Sequence, residues 1–506
     1  FYLGILKFMG WLGAISGLSG QYNRWLIGQQ RKAAEIPSGT YGIASFATLA
    51  ECTAAGLRNP MGLFLGLLDG VPLFYSGSAH LFTQAPARMG KSIFVVIAAL
   101  MHWLGSVVVT DPKGELAAVT LAHRALRFFQ KVICFNAWGL HGLPRHRINP
   151  LEYLITLASD VSTQRGLTDE VKAIALQLLP EPEDARNRYF RDGSRSILRA
   201  VLLYLALCKP RLCVLPEMWR IIANPRRLER ALDEMRDSDA LGGLLADLGD
   251  DLAAQMEDTP EQFGDFRAGA LQALDIYEPG GYLADAVSGS DVSLGELKGG
   301  RVSIYLIIPQ ERIATHGAAL GLIVNQAIRA TARSHQKGQV LFLLDEFANL
   351  GKLSGLAESL TALPGLGVRV WMIVQELAEL VRIYGPHTAR TILSQAEVKQ
   401  FFAVQDAELA KTLSQTLGER TVKTRSYNLG RFDDDEIGES LSEAGRPLMS
   451  PDEIRQMGDS EQLLLIKSLP PIKAQRLPFW FIAPWQDWAE PNPVEGEYRR
   501  RPQSSL

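Results

Sequence analysis

Short runs of β-branched and aromatic residues recur along this chain, separated by stretches with helical spacing. They fall at His80–Thr83, Ser106–Thr110, Lys131–Phe135, Val302–Ile308, Val340–Leu344, Val368–Val374, Gln400–Val404 and Gln462–Ile466. Several have no polar position, Val340-Leu341-Phe342-Leu343-Leu344 being the clearest. A strand without a polar face must be covered on both sides, and strands that alternate with helices pair in parallel because each crossover needs a helix. The expected fold class is therefore α/β, a mostly parallel central sheet between helical layers. Ahead of these runs, residues 62–76 (GLFLGLLDGVPLFYS) place Asp69-Gly70 between two apolar segments, which predicts a tight hairpin.

Between 155 and 290 the strand-like runs stop. Leu, Ala, Arg, Asp and Glu dominate, and Ile197, Leu198, Val201, Leu202 and Leu205 follow helical spacing. This pattern predicts an all-α domain inserted into the α/β domain, which is then split into a first part at 36–154 and a second at 291–490. A chain of 506 residues with 47% hydrophobic content has room for such an arrangement.

Chemistry enters at two strand ends. His80–Thr83 runs toward Ala85-Pro86-Ala87-Arg88-Met89-Gly90-Lys91-Ser92, and an apolar helix follows over Ile93–Leu104. This is the context of a phosphate-binding loop. Backbone N–H groups and the helix N-terminus cradle phosphates, Lys91 reaches the β/γ oxygens, and Ser92 ligates Mg2+. Ala85 stands where the usual pattern has its first Gly, a position at which a Cβ hinders a turn that Gly permits. The second strand end is Val340–Leu344 followed by Asp345-Glu346. Asp345 is placed to hold Mg2+ and Glu346 to act as general base toward water. Ser106–Thr110 leads into Asp111-Pro112-Lys113-Gly114-Glu115, and Val368–Val374 ends in Gln375, a candidate γ-phosphate sensor. Ligands of open parallel sheets sit beyond the carboxyl ends of the strands, so these side chains are expected to share one site.

The net charge of −3 gives no bulk support to a nucleic-acid partner, which must be read from local patches or a ring interior. The four cysteines, Cys52, Cys134, Cys208 and Cys213, lack the pairing and the nearby His of a zinc site and read as free thiols. The chain begins at Phe1, and residues 1–20 are apolar except for Lys7. Residues 1–35 are expected to be the remnant of a membrane helix that starts upstream, with an amphipathic helix on a partner as the other reading. The polar tail 491–506 is expected to be disordered.

The phosphate loop, SVVVTDPKGEL, RYFRDGSRSIL, LFLLDEFANLGKL, GVRVWMIVQELAELVRIYG and RPLMSPDEIRQMGDSEQLLLIKSLPPIKAQRL together resemble the TraG-like coupling proteins of bacterial type IV secretion and conjugation, over residues 38 to 482. The resemblance implies a RecA-like P-loop NTPase carrying an all-α domain, N-terminal membrane helices, and a homo-hexamer on the cytoplasmic face of the inner membrane. It implies ATP and Mg2+ as cofactors. It also implies delivery of a relaxase–DNA complex or effector proteins to type IV secretion channel components, with single- or double-stranded DNA and adaptor proteins on the all-α domain as further partners. By the same resemblance Lys91 and Ser92 lie in the phosphate site, Asp345 and Glu346 in the hydrolytic site, and Gln375 at the sensor position. The family loop usually reads like GPTRSGKG. Here Ala85, Ala87 and Met89 depart from it, while Arg88, Gly90 and Lys91 stay.

Two readings of different class follow. One is an ATPase that couples DNA or protein substrates to a secretion channel. The other is a docking platform that binds nucleotide with weak or absent hydrolysis, which the altered loop favours. A soluble DNA motor of the FtsK/HerA type shares the core but lacks the DPKGE and C-terminal signatures. A trans-acting arginine is expected in a ring motor, with Arg369, Arg390 and Arg420 as candidates.

Overall fold

The computed structural model describes residues 37–181, 187–428 and 438–494. The apolar segment 1–35 and most of the tail 491–506 lie outside the described residues. Among the described residues no helix is long and apolar enough to cross a membrane.

The strands are β1 (Leu63–Leu68), β2 (Val71–Tyr75), β3 (His80–Gln84), β4 (Ser106–Asp111), β5 (Lys131–Phe135), β6 (Val302–Ile307), β7 (Val340–Leu344), β8 (Val368–Val374), β9 (Ala396–Phe401), β10 (Glu419–Asn428), β11 (Gly438–Pro447), β12 (Glu461–Ile466) and β13 (Ile472–Gln475). Eleven of them form one sheet in the order β2-β1-β13-β12-β9-β3-β8-β7-β4-β6-β5. From β9 to β5 every neighbouring pair is parallel. Strands β3, β4, β6, β7 and β8 are buried at every position. This is the double coverage that their lack of a polar face demands, and each large apolar side chain withdrawn from water contributes about 1.5–3 kcal/mol.

β1 and β2 form the hairpin predicted at Asp69-Gly70, whose φ values of 52° and 74° are the left-handed pair a two-residue turn requires. The run expected at Gln400–Val404 is displaced. The strand is Ala396–Phe401, and it stops where Ala403 turns to a φ of 51°. Its first half alternates Glu397 and Lys399 between buried positions, so a search for continuous apolar residues finds only its end. β10, β11 and β13 were not expected from the sequence, because their residues are too polar to stand out from loops.

The chain forms two compact units. The smaller contains Ala403–Gly458, Pro470–Ile472 and the described residues up to Ala47. In it β10 and β11 pair antiparallel from Glu419↔Pro447 to Asn428↔Gly438, and Asp406 caps the helix Ala407–Leu417 by accepting the Leu409 N–H at 2.6 Å. The larger unit contains Thr48–Phe402, Asp459–Leu469 and the chain from Lys473. Between β5 and β6 it holds helices and no strand among the described residues. The longest helix there, Arg188–Cys208, buries Ile197, Leu198, Val201, Leu202 and Leu205 on one face. Glu170 in the helix Leu167–Leu178 receives Arg329 and Arg333 of the helix Ile313–Arg333, each at 2.7 Å. The helical region is thereby pinned to the layer covering the sheet.

Because the central strands are parallel, their carboxyl ends share one edge. Asp111 closes β4 there, and its Oδ2 accepts the Ala117 N–H at 2.8 Å in the first turn of the helix Glu115–Leu126. Burial pushes its carboxyl from the ordinary 3.8 up to about 7, opposed by the Ala117 and Leu116 N–H groups and assisted by the charges of Glu115 and Asp345. The folded state therefore binds the proton more tightly than the unfolded one. Stability from this group falls as pH rises from about 4 to about 7 and is level above. Asp111→Asn keeps an acceptor for Ala117 and removes the titration. Its melting temperature is expected to gain on the native chain progressively across that pH window. A difference that is constant with pH would show that Asp111 carries no such burden.

Candidate functional site

After β3 the chain enters residues 85–92. The Ala85 N–H donates to the Val374 carbonyl at 3.0 Å, which continues the β3–β8 ladder by one rung. Ala85 is fully buried and is not among the residues with positive φ. The left-handed positions of the loop are Arg88 at 63° and Gly90 at 70°. The missing first Gly thus brings no left-handed backbone strain here, since Ala85 does not take a positive φ. At Gly90 the requirement is real, because an added Cβ would lie 2.3 Å from the Phe94 ring. The helix then opens with a π-helical turn, Ser92–Val96, and continues as α-helix over Ile97–His102. Such turns recur at functional sites.

Lys91, at the amino end of that helix, meets the carboxylates that follow β7. Its Nζ lies 2.8 Å from Asp345 Oδ1 and 3.7 Å from Glu346 Oε1. Burial opposes the charge on Lys91, but Asp345 and Glu346 outweigh it and hold its pKa above the usual lysine value. Glu346 takes a φ of 54°, and its N–H donates to Asp345 Oδ1 at 3.0 Å, so this turn presents both carboxylates to the same space. Gln375, beyond β8, donates through Nε2 to Glu346 Oε1 at 3.0 Å. The structure therefore brings together Lys91, Asp345, Glu346 and Gln375, four residues that the sequence singles out from three separate segments. Ser92 stands beside them as the first residue of the helix.

Two neighbours were missed in the sequence. Asn349 donates through Nδ2 to Glu346 Oε2 at 3.0 Å, and the Thr110 hydroxyl donates to the Asp345 carbonyl at 2.8 Å. The spacing of three between Glu346 and Asn349 in LDEFANLG is a usable signal, because one helical turn brings such residues together. Thr110 has no local signal and depends on the β4–β7 register, Thr110↔Leu344. Of the arginine candidates, Arg369 is buried at the amino end of β8, away from this edge, and is excluded as a donor to a neighbouring subunit. Arg390 is exposed on the helix Leu377–Gln395, and Arg420 lies on β10.

The edge opens into a cleft of about 750 Å³ lined by Arg88, Lys91, Lys113, Trp138, Glu346 and Gln375 among others. That is a volume suited to a small-molecule ligand. Two adjacent buried carboxylates demand a cation, and the Lys91 ammonium fills that demand. A magnesium nucleotide would fit the same residues, since the metal would take over Asp345 while the phosphates take over Lys91. The loop supplies a helix N-terminus for anions, and Ser92 and Asp345 supply the hard oxygen ligands that Mg2+ prefers.

Residues 45–493 match the family described as type IV secretory system conjugative DNA transfer. The chain is 27% identical to the VirD4 protein of Agrobacterium fabrum over 410 residues, covering 79% of this chain and 58% of that protein. It is 28% identical to a conjugal transfer protein TraG of Escherichia coli over 406 residues, covering 76% and 63%. The chain thus spans about three-fifths of the length of these curated relatives. Its fold matches the bacterial conjugative coupling protein TrwBdeltaN70, with a TM-score of 0.61 and 16% identity over 85% of this chain and 92% of that one. TrwB has also been solved with ADPNP and with ADP and Mg2+. The fold is thus TrwB-like, a mostly parallel central sheet with helices, consistent with the α/β class expected.

If Ala85 is unstrained, restoring Gly there brings no benefit. Ala85→Gly is expected to lower stability by about 0.4–1 kcal/mol through the greater freedom of the unfolded chain. A thermal melt reads this directly, and a raised melting temperature would show hidden strain at the position.

Proposed function

The chain belongs to the type IV secretory system conjugative DNA transfer family, and on that premise we propose that it is an Mg2+-dependent ATPase that couples DNA or protein substrates to a type IV secretion channel. The observation that carries the reading is the 2.8 Å approach of Lys91 to Asp345, which joins the phosphate loop to the carboxylate strand in one site. The nucleotide complexes of TrwB, a protein of the same fold, support ATP as the ligand.

In this mechanism the phosphates lie along residues 85–92. Lys91 exchanges Asp345 for the β/γ oxygens, and Ser92 and Asp345 hold the metal. Mg2+ supplies charge neutralisation at the γ-phosphate. Glu346 accepts a proton from water as the water oxygen bonds to the γ-phosphorus and the bond to the leaving diphosphate oxygen breaks. The proton then passes to the phosphate product. Gln375 and Asn349 each hold one oxygen of Glu346, fixing the direction in which the carboxylate faces the water. Gln375 is also the γ-phosphate sensor. A ring-shaped homo-hexamer at the bacterial inner membrane, DNA or effector cargo and adaptors on the helical region complete the proposal. The lack of a positive φ at Ala85 counts against the platform reading.

ATP turnover by the purified oligomer tests this reading. Lys91→Ala is expected to lose nucleotide binding and turnover together. Glu346→Gln is expected to keep binding and lose turnover by about 10²–10⁴-fold. Wild-type chain that binds nucleotide tightly without turnover, with or without DNA, would sink the motor reading and leave the platform. For Asn349→Ala the expected result is a drop of about tenfold in turnover with nucleotide affinity within twofold of wild type. Unchanged turnover would remove Asn349 from the machinery. Plasmid transfer and effector delivery, scored separately in a deletion strain, assign the cargo.

A further inference from the structure

Arg476 follows β13, 385 positions after Lys91 in the chain, yet its side chain ends against the phosphate loop. It is 1% exposed, and among the described residues its guanidinium donates to three main-chain carbonyls. Nη1 donates to Met89 at 3.1 Å, Nε to Glu461 at 3.2 Å, and Nη2 to Asp459. Its backbone N–H donates to the Ser460 carbonyl at 2.6 Å. The guanidinium also lies over two rings, Phe402 at 3.8 Å and Phe94 at 4.7 Å. Phe94 belongs to the helix that Ser92 opens, and it is the same ring that forbids a side chain at Gly90.

The contact with Met89 has a specific geometric effect. The Met89 carbonyl and the Gly90 N–H belong to one planar trans peptide and point in opposite directions. A donor that pins the carbonyl toward Arg476 therefore aims the Gly90 N–H away from it. A cation on the carbonyl also polarises that peptide and makes its N–H a stronger donor. Gly90, in left-handed conformation, turns the chain immediately afterwards toward Lys91. Phosphate loops bind anions with backbone N–H groups of this kind, so their direction decides affinity.

We propose that Arg476 is a positioning residue that sets the phosphate loop in its anion-binding shape by holding the Met89 carbonyl. The proposal rests on the nucleotide reading of the cleft. It gives the C-terminal segment KAQRL a direct part in nucleotide affinity. It also explains how a loop carrying Ala87 and Met89, with their departures from the family pattern, keeps a defined course.

A matched control exists in the same sheet. Arg369 is also 1% exposed, also lies over two rings, Trp103 at 5.0 Å and Tyr75 at 5.7 Å, and donates to Gln339 Oε1 at 2.9 Å. Burial lowers both guanidinium pKa values to about 10, so both are charged at neutral pH. Arg369 sits at the amino end of β8, and its guanidinium donates to the Gly77 carbonyl and to Gln339, neither of which belongs to the loop.

The experiment titrates a fluorescent ATP analogue with Mg2+ into the full chain, with melting temperature and steady-state turnover measured alongside. Arg476→Met keeps bulk against the rings and removes all donors. It is expected to weaken binding about tenfold and to raise KM in parallel, with kcat within about threefold of wild type. Arg476→Lys retains one donor able to reach Met89 and is expected to fall between Met and wild type. Arg369→Met is expected to lower the melting temperature as Arg476→Met does, with nucleotide affinity within twofold of wild type. Equal weakening by both Met variants would mean general destabilisation and overturn the proposal, as would wild-type affinity in Arg476→Met. Should that variant not fold, wild-type affinity in Arg476→Lys at a lowered melting temperature overturns it instead. If wild-type chain shows no binding that Lys91→Ala abolishes, the nucleotide reading itself falls and takes this proposal with it.

Discussion

The contact between Lys91 and Asp345 is the interaction on which the rest of the site depends. Neighbouring strands lie about 4.8 Å apart, and β3 and β7 are separated only by β8. The loop after β3 and the carboxylates after β7 therefore stand roughly 10 Å apart, a gap that one lysine side chain bridges. Reordering the strands by a single place would put Lys91 out of reach. The ion pair also answers an electrostatic demand, since Asp345 and Glu346 are adjacent, buried and alike in charge. Removing one partner from a buried pair of this kind typically costs about 3–5 kcal/mol, because the other charge is left without compensation. The ammonium thus holds this edge of the sheet together, with Asp345 and Glu346 compensated by one buried cation.

Backbone strain is present on both sides of the same edge. Arg88 and Glu346, both with side chains that disfavour it, adopt positive φ on the two sides of the cleft. Each such residue costs of order 1–3 kcal/mol, and the surrounding bonds must fix it in place. Around Glu346 the fixing bonds come from Gln375, Asn349 and the Asp345 carboxylate. Around the phosphate loop they come from the Val374 carbonyl below Ala85 and from Arg476 behind Met89. The two sides are held by different parts of the chain, and so are open to separate adjustment.

Much of this was legible in the sequence, for a physical reason. Strands buried on both faces carry long apolar runs with few polar residues to blur the pattern, so β4, β7 and β8 stand out from their neighbours. Lys91, Asp345, Glu346 and Gln375 were readable because each ends or follows such a strand, and parallel topology sends those ends to one edge. β9 was half legible, since Glu397 and Lys399 interrupt its apolar run. β10 and β11 were not legible, because a polar ribbon looks like a loop in one dimension. Arg476 could not have been found from spacing. Its partner is a backbone carbonyl, and any residue type at position 89 would present one.

The stitching between the helical region and the segment after β7 has a mechanical implication. Gln177, in the helix Leu167–Leu178, donates to the Lys352 carbonyl at 3.1 Å and accepts the Ser354 N–H at 2.8 Å, while Ser354 Oγ returns a bond to the Leu176 carbonyl at 3.2 Å. Only eight positions separate Ser354 from Glu346. A tug on that helix is therefore transmitted to the peptide carrying Glu346 through a short, hydrogen-bonded tether, with little slack to absorb it.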